Sequence, residues 1–369
     1  MSPLIELEAA ALPGAGDAAA AERGLRRWPH AVSGLPADLA DVAAAAGTRP
    51  GGRRLLEAVF GNSPFLTEAL LAEPDVLAGL LRDGPDATAG RLLAEPGESP
   101  LGQRTRVMAA LRRTRRRVAL LVALADLAGL WPLERVTGTL TRFADLAIGR
   151  ALAQVLGEFA DRGEIEPAEP GACGLVVLGM GKLGAFELNY SSDIDLIVLF
   201  EPRRLRPRGA EGPLAASVRM TRALVHLLDA QTRDGYVFRT DLRLRPHPVG
   251  QPLALSVDHA LFYYEHHGQK WERAALIKAR PVAGDLEAGR EFLDQLRPYL
   301  WRKHLDYAAI ADIHSIKRQI NAYRGHGTIK VLGHNIKVGR GGIREIEFFA
   351  QTQQLILGGR MPELRVPDT

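Results

Sequence analysis

The 369-residue sequence contains a single cysteine, Cys173, so it excludes an intrachain disulfide and a zinc site built on cysteines. It also lacks a long apolar run. The longest one, residues 118–131, contains Asp126 and is too short to cross a bilayer. The first residues carry Glu6 and Glu8 and no basic start, so no signal peptide is expected. These absences predict a cytoplasmic protein without a membrane partner.

An excess of charge of one sign is missing as well. The net charge is only +4, because 43 acidic residues offset 47 lysines and arginines. Such a composition permits phosphate-bearing partners without requiring nucleic acid. A chain of 369 residues with 46% hydrophobic residues can bury a large core and divide into two or three domains.

Apolar residues recur at three- and four-residue spacing in the first part of the chain, which is typical of amphipathic helices. Long helices are predicted at 103–130 and 133–161, and further helices at 286–300 and 308–323. A polar, proline-bearing linker covers residues 163–171. We predict an N-terminal helical region (1–162), a core that carries the chemistry (163–285), and a helical segment with a strand-turn-helix that completes the core (286–369).

The predicted helix at 103–130 is rich in arginine, which raises the question of nucleic-acid binding. Consecutive arginines spread around a helix, and no aromatic residues are interleaved to stack bases. We therefore favour a solvated helix end whose arginine stems cover apolar neighbours. The cluster consists of Arg104, Arg106, Arg112, Arg113, Arg115, Arg116 and Arg117.

Two aspartates stand at the start of an apolar run. Asp193 and Asp195 lead into residues 196–200, which are predicted to form a buried strand. Because side chains on a strand alternate between its faces, the two carboxylates point the same way and repel each other. A bound Mg²⁺ would remove that repulsion. The alternative is a capping Asp193 and a solvated Asp195.

A glycine-rich turn precedes these aspartates. Gly179, Gly181, Lys182 and Gly184 follow the apolar run 175–178. Glycines let backbone N–H groups approach a phosphate closely, and Lys182 adds a positive charge. Together with the run from Ser192 to Asp195 and the strand after it, this turn resembles the signature of polymerase-β-like nucleotidyltransferases. The resemblance implies an α+β fold with a mixed sheet and helices.

A long strand is predicted from residue 236 to residue 246. Its alternation places one aspartate and three arginines on one face. A nucleotidyl-transfer site needs a third carboxylate for its metal and guanidinium groups for phosphate oxygens. The alternative is an exposed face of mutually paired charges. The four residues are Arg239, Asp241, Arg243 and Arg245.

Candidates also lie further along the chain. Lys278 and Arg280 are placed to bind a substrate phosphate, although a surface helix would give the same pattern. A strand, a glycine-rich turn and a helix are predicted over 335–351. On that helix Glu345 and Glu347 would stand about 200° apart, so at most one of them faces a metal.

Five runs together resemble bacterial glutamine synthetase adenylyltransferase/adenylyl-removing enzymes. The resemblance covers most of the chain from about residue 55. The runs are GMGKLG (179–184), ELNYSSDIDLI (187–197), RTDLRLRP (239–246), WERAALIKARP (271–281) and GGIREIEF (341–348).

That family is bifunctional and longer than this chain, with one domain that removes AMP, one that adds it, and a regulatory region that responds to the PII signalling protein and glutamine. The run ELNYSSDIDL resembles the removing domain, so the resemblance implies the N-terminal, adenylyl-removing portion. We expect the chain to be truncated after residue 369. One departure is the sequence at 247–250, where many members have an aromatic residue or Asp and Gly. It leaves open the substrate contacts of that loop, not the metal ligands.

The implied reaction is phosphorolysis. Phosphate attacks the α-phosphorus of an adenylylated tyrosine on glutamine synthetase and releases ADP. The resemblance implies that Asp193, Asp195 and Asp241 hold two Mg²⁺ ions. It assigns AMP phosphate to Gly181, Lys182, Gly184 and Ser192, and the incoming phosphate to Arg243 and Arg245, with Lys278 and Arg280.

Two alternatives remain at this point. The first is an ATP-dependent adenylyltransferase that acts on glutamine synthetase with the same site. The second is a nucleic-acid-directed nucleotidyltransferase or binding module, which the missing aromatic platforms disfavour.

Overall fold

The structure is a computed structural model, and it describes residues 5–98, 100–246, 250–302, 332–337, 339 and 341–368. The predicted helix at 308–323 and the departure at 247–249 lie outside these residues. No helix within the described ranges is long and apolar enough to cross a membrane.

Eight α-helices lie in the described residues up to 161. Several begin at a proline, whose fixed φ and missing N–H suit the first helical position. Ser63 caps α4 by accepting a hydrogen bond from the Leu66 N–H at 3.2 Å. The helices predicted at 103–130 and 133–161 are confirmed. The bounds are α1 Ala18–Val32, α2 Ala37–Thr48, α3 Pro50–Asn62, α4 Pro64–Ala72, α5 Pro74–Asp83, α6 Pro85–Glu98, α7 Arg104–Leu127 and α8 Leu133–Asp161.

A mixed five-stranded sheet follows. Strand β2 (Ile194–Phe200) pairs antiparallel with β1 (Leu175–Gly179), and β1 pairs antiparallel with β5 (Arg280–Gly284). On its other side β2 pairs in parallel with β3 (Thr240–Asp241) at its start and with β4 (Ala254–Ser256) at its end. The α+β class predicted from the sequence is therefore confirmed.

Seven further helices accompany the sheet within the described residues. The helix predicted after the glycine-rich turn at 339–342 is confirmed as the last of them. The predicted strand before it is absent from the described residues 332–337, which form turns. The bounds are α9 Gly181–Gly184, α10 Pro213–Asp229, α11 Val257–His266, α12 Lys270–Leu276, α13 Leu286–Gln295, α14 Arg297–Leu300 and α15 Ile343–Leu357.

The prediction of a long strand over residues 236–246 is wrong. Only Thr240 and Asp241 pair with β2. The chain turns directly after them, because the Asp241 carboxylate accepts a hydrogen bond from the Arg243 N–H at 2.8 Å. Alternating polar and apolar residues therefore continue past the end of the ladder, and Arg243 and Arg245 do not share a strand face.

The chain forms two compact units. Unit 1 comprises Met1–Gln154, Phe186–Ser192 and His226–Arg239, and unit 2 comprises Val155–Ala185, Asp193–Val225 and Thr240–Thr369. Leucines such as Leu56 and Leu120 are fully buried in unit 1. In unit 2 the sheet residues Val176 and Leu199 pack in one core with Tyr264. The three-segment division expected from the sequence stays a prediction.

The interpretation of the α7 arginines as a solvated helix end is wrong for Arg112 and Arg117, which are buried, whereas Arg106 is exposed as expected. Arg113, Arg116 and Arg117 all bind the carboxylate of Glu73, at 3.1, 2.7 and 2.9 Å. Arg112 is 2% exposed and donates hydrogen bonds to backbone carbonyls of unit 1, including that of Ala230 at 2.5 Å. These cations are engaged inside unit 1, although the side chain of Arg113 is 61% exposed.

Candidate functional site

Two predicted carboxylates stand side by side in unit 2. Asp195 of β2 and Asp241 of β3 are direct partners in the parallel ladder, so their side chains share one face of the sheet. Both are half-buried, and Asp193 lies exposed just before β2. The structure thus brings Asp195 and Asp241 together as the sequence predicted, although β3 is far shorter than expected.

The electrostatics of this face are asymmetric. Burial raises the pKa of Asp195 to about 6, and the carboxylates of Asp241 and Asp193 add to the effect. The Asp241 pKa is lowered instead, because Arg243 donates hydrogen bonds to both oxygens of its carboxylate. The repulsion between the neighbouring carboxylates therefore raises the pKa of Asp195, whereas that of Asp241 is lowered.

This face suits a cation only in part. The raised pKa of Asp195 is what clustered carboxylates without a counter-ion produce, and a divalent cation would relieve it. Within the described residues, however, no three His, Cys, Asp or Glu side chains form a group that could hold a metal ion. The guanidinium of Arg243 occupies the Asp241 carboxylate, with its Nη2 atom 2.5 Å from Oδ2.

The glycine-rich segment forms a single helical turn, α9, beside Asp195. The N–H of Met180 donates to the backbone carbonyl of Asp195 at 2.9 Å. Gly181 has φ +52°, and a Cβ atom there would stand 3.3 Å from Oδ2 of Asp195. A side chain at Gly181 would strain the backbone and crowd the carboxylate. Lys182 is exposed on the same turn.

Gly184 and Arg280 fix this turn to the neighbouring backbone. A Cβ at Gly184 would lie 1.6 Å from the carbonyl oxygen of Lys278, so only glycine fits. Arg280, the first residue of β5, donates hydrogen bonds to the carbonyls of Leu183 and Gly184 at 3.1 and 3.4 Å. The structure therefore places Arg280 against the glycine-rich turn, where it positions the backbone.

The other predicted cations have different surroundings. Arg245 is 9% exposed and donates hydrogen bonds to the carbonyls of Leu242 and Pro252 at 2.8 and 3.1 Å. Its predicted phosphate contact stays a prediction. Ser192 belongs to unit 1, where its hydroxyl donates to the Asn189 side chain at 2.8 Å.

The two glutamates of α15 have separate tasks. Glu345 accepts a hydrogen bond from the Gly341 N–H at 2.7 Å, at the start of the helix. Glu347 forms an ion pair with Lys278 at 2.8 Å, and the lysine side chain is only 3% exposed. The helical geometry that separates them agrees with the expectation from the sequence.

Sequence reasoning missed Lys337. This exposed lysine lowers the pKa of Asp195 and so counts among the cations that act on the site. A single lysine in a turn follows no periodic pattern, and only its position before the glycines at 339–342 hints at a role.

Taken together, the fold and the site define an α+β protein with paired carboxylates and a glycine-rich helical turn at one part of its sheet. Comparison with known proteins makes this specific. The family model described as glutamate-ammonia ligase adenylyltransferase matches residues 53–295. The chain belongs to this family. A model described as GlnD PII-uridylyltransferase matches residues 314–366.

Curated relatives carry the name bifunctional glutamine synthetase adenylyltransferase/adenylyl-removing enzyme. The protein of Xanthobacter autotrophicus is 50% identical over 359 residues, which are 96% of this chain and 36% of the relative. That of Rhizobium meliloti is 51% identical over 327 residues, 85% of this chain and 33% of the relative. That of Bradyrhizobium sp. is 50% identical over 323 residues, which are 86% of this chain and 33% of the relative. The chain thus spans about a third of these proteins.

Proposed function

We propose that this chain removes AMP from an adenylylated tyrosine of glutamine synthetase by phosphorolysis, on a polymerase-β-like nucleotidyltransferase core. The observation that carries the proposal is the pairing of Asp195 with Asp241 on β2 and β3, with the turn at Gly181 against Asp195. The names of the relatives include adenylyl removal. Its direction is supported by the run ELNYSSDIDL, which resembles the form in the AMP-removing domain.

The chemistry is an in-line displacement at phosphorus. An oxygen of inorganic phosphate bonds to the α-phosphorus, and the bond from that phosphorus to the tyrosine oxygen breaks. The products are ADP and a tyrosine phenolate, which takes up a proton. Phosphate is a weak nucleophile among like charges, so holding it in position and neutralising its charge are the main tasks of the site.

The candidate residues divide these tasks. The backbone N–H of Gly181, with Lys182 and Ser192, positions the phosphate of AMP, and Gly184 lets the turn pack against the backbone of Lys278. Arg243 and Arg245, supported by Lys278 and Arg280, receive the incoming phosphate. Arg280 also holds the glycine-rich turn, and the Lys278–Glu347 ion pair anchors α15.

Asp193, Asp195 and Asp241 would hold two Mg²⁺ ions, which when bound stabilise charge on the attacking and leaving oxygens. In the described residues these three carboxylates do not form a group that could hold a metal ion, so they would have to move closer together on binding. The Arg243 guanidinium would first have to leave the Asp241 carboxylate. Since the Arg243 side chain is 85% exposed, it can move without disturbing the core. The released guanidinium is then available for the incoming phosphate.

The proposal also covers the partners of the chain and its compartment. Because the chain spans about a third of their length, we assign the response to the PII signalling protein to regions outside it. Adenylylated glutamine synthetase is the protein partner, phosphate, ADP and ATP are the small molecules, and the cytoplasm is the compartment.

A single assay tests the proposal. Adenylylated glutamine synthetase is incubated with the chain, Mg²⁺ and phosphate, and ADP and free AMP are quantified. We expect ADP, and no turnover without phosphate. Release of AMP in the absence of phosphate would mean hydrolysis and would overturn phosphorolysis.

A matched pair of variants tests the site. Asp195→Asn should abolish ADP formation with an unchanged circular dichroism spectrum, because it removes the central carboxylate. Asp258→Asn changes an exposed aspartate on α11 and should retain full activity. Substantial turnover by Asp195→Asn would refute the assignment of this carboxylate.

The second candidate is the reverse type of activity, ATP-dependent addition of AMP. It is favoured by the description of the matching family as an adenylyltransferase. Incubating the chain with ATP, Mg²⁺ and unmodified glutamine synthetase separates the two, since AMP-tyrosine forms only if the chain adds AMP.

A further inference from the structure

Unit 1 contains a cavity of about 640 Å³. Its walls come from the start of α4, one face of α7, and the segments 190–191 and 231–236. The volume lies within the range of about 300–1,000 Å³ that is usual for pockets that bind small molecules. The cavity shares no residue with the carboxylate site of unit 2.

The α7 wall of the cavity is a stripe of small apolar residues. Arg115, Ala119, Ala123 and Leu127 follow one another at four-residue spacing, which places them on one helix face. At a rise of 1.5 Å per residue, Arg115 and Ala123 are about 12 Å apart along the helix. The two alanines leave space that larger side chains would fill, so this part of the α7 wall is apolar.

Arg115 is the cation at one end of this stripe. Its guanidinium carbon lies 4.9 Å from the centre of the Tyr236 ring. Within the described residues it has no carboxylate partner, and burial lowers its pKa. The other two arginines of the wall are engaged, since Arg116 binds Glu73 and Arg112 binds backbone carbonyls. Arg115 is therefore the arginine that an anionic ligand can reach.

The acidic residues of the wall determine where in the cavity an anionic group is favoured. Asp126 accepts a hydrogen bond from the Tyr190 hydroxyl at 2.8 Å, and lies eleven positions beyond Arg115 on α7. Asp234 lies 3.7 Å from the guanidinium of its neighbour Arg233. Neither carboxylate contributes to the pKa of Arg115. An anionic group is thus favoured at Arg115 and disfavoured near Asp126.

We propose that this cavity binds an amphipathic organic anion, with its anionic group at Arg115 and its apolar body over Ala119 and Ala123. Tyr236, which also lines the cavity, places its ring against the guanidinium and forms a hydrogen bond with it. The ligand class is that of carboxylates or phosphate monoesters with an apolar chain or ring.

The test uses a fluorescent amphipathic anion, 8-anilinonaphthalene-1-sulfonate, titrated into the full chain. Saturable binding is expected, and Arg115→Gln should weaken it about 10- to 100-fold, the effect of losing a charge-assisted hydrogen bond. Arg106→Gln removes an exposed arginine of the same helix and should leave binding unchanged. Octanoate should displace the probe far better than octan-1-ol does.

Ala119→Leu keeps the cation but narrows the cavity beside it, so it should weaken probe binding while the protein stays folded by circular dichroism. This variant also decides the matter if Arg115→Gln does not fold. Equal binding by the two arginine variants, equal displacement by octanoate and octan-1-ol, or unchanged binding by Ala119→Leu would each overturn the proposal.

Discussion

At the scale of single residues, Asp195 and Asp241 show how one site produces two carboxylates of opposite character. Arg243 lowers the pKa of Asp241, whereas burial and the neighbouring carboxylates raise that of Asp195. Asp195 therefore destabilises the folded chain when it is ionised and no cation is bound. This destabilisation can be measured as a change in the free energy of unfolding, independently of catalysis.

The pH dependence of stability should reveal Asp195. Its folded pKa of about 6 exceeds the value of about 3.9 for an unfolded aspartate, so its favourable contribution is complete below about pH 4 and is lost as the pH rises through 6. Between pH 7.5 and 5, without divalent ions, the free energy of unfolding of the wild type should gain about 1 kcal/mol relative to Asp195→Asn. Denaturant titrations at both pH values measure the difference.

A constant difference between the wild type and Asp195→Asn across this pH range would contradict the assignment. Asp258→Asn serves as the control, because Asp258 is exposed in the first turn of α11 and its variant should follow the wild-type curve.

The sequence predicts some of these residues well and others poorly. The place of Asp195 near the start of a buried strand follows from the apolar run after it, whereas Asp193 lies just outside β2. The position of Arg245 does not follow, because it depends on the turn that Asp241 makes with Arg243. Local hydrogen bonding ended a strand that the alternation would have extended.

At the scale of elements, the four residues of α9 depend on close backbone packing. The space for a Cβ at Gly184 is already filled by the carbonyl oxygen of Lys278, 1.6 Å away. Gly138, in the long helix α8, has no neighbouring atom within 4 Å of the same position. The two glycines form a matched pair for mutation.

Gly184→Ala should displace the glycine-rich turn and lower the free energy of unfolding by about 1–3 kcal/mol, the usual cost of overpacking. Gly138→Ala should raise it by about 0.5–1 kcal/mol, since alanine is favoured inside a helix. Thermal denaturation compares the two. A Gly184→Ala variant as stable as the wild type would contradict the close packing of α9 against Lys278.

The arginines of α7 form a second element-scale feature. Glu73, at the start of α5, receives three guanidinium groups and is itself 3% exposed. Arg117 also pairs with Asp75 at 2.6 Å. The group joins α5 to α7 through charge inside unit 1.

Glu73→Gln should cost about 3 kcal/mol in the free energy of unfolding, because it leaves buried guanidinium groups without their counter-ion. Glu68→Gln breaks an exposed pair with Arg27 and should leave stability nearly unchanged. Urea titrations of the two variants measure the contrast. An equally small effect at both sites would show that the Glu73 network is dispensable.

Sequence patterns locate helices better than the partners of their side chains. The periodicity that predicts α7 and α8 is local, so their bounds follow closely. The partner of Arg113, Arg116 and Arg117 is 40 or more residues away at Glu73, and no local pattern indicates it. The sequence therefore predicted solvated arginines, whereas in the structure these three form ion pairs with Glu73.

At the scale of the whole molecule, Mg²⁺ binding should couple to stability. A ligand that binds only the folded chain, at one hundred times its Kd, raises the free energy of unfolding by about 2.7 kcal/mol. We expect Mg²⁺ to raise the Tm of the wild type and to have little effect on Asp195→Asn. Differential scanning calorimetry with and without Mg²⁺ provides the readout, and equal shifts in both proteins would exclude Asp195 as a ligand.

Unit 1 is assembled from three separate stretches of chain, the last of which ends at Arg239. A ribosome releases the residues in order, and N-terminal domains generally fold first. Here the helices of the first 154 residues emerge long before Phe186–Ser192 and His226–Arg239, which complete the same unit. Arg112 donates to the nearby carbonyl of Met108 and to three carbonyls of the last stretch, so three of its four carbonyl partners are synthesised more than a hundred residues after it.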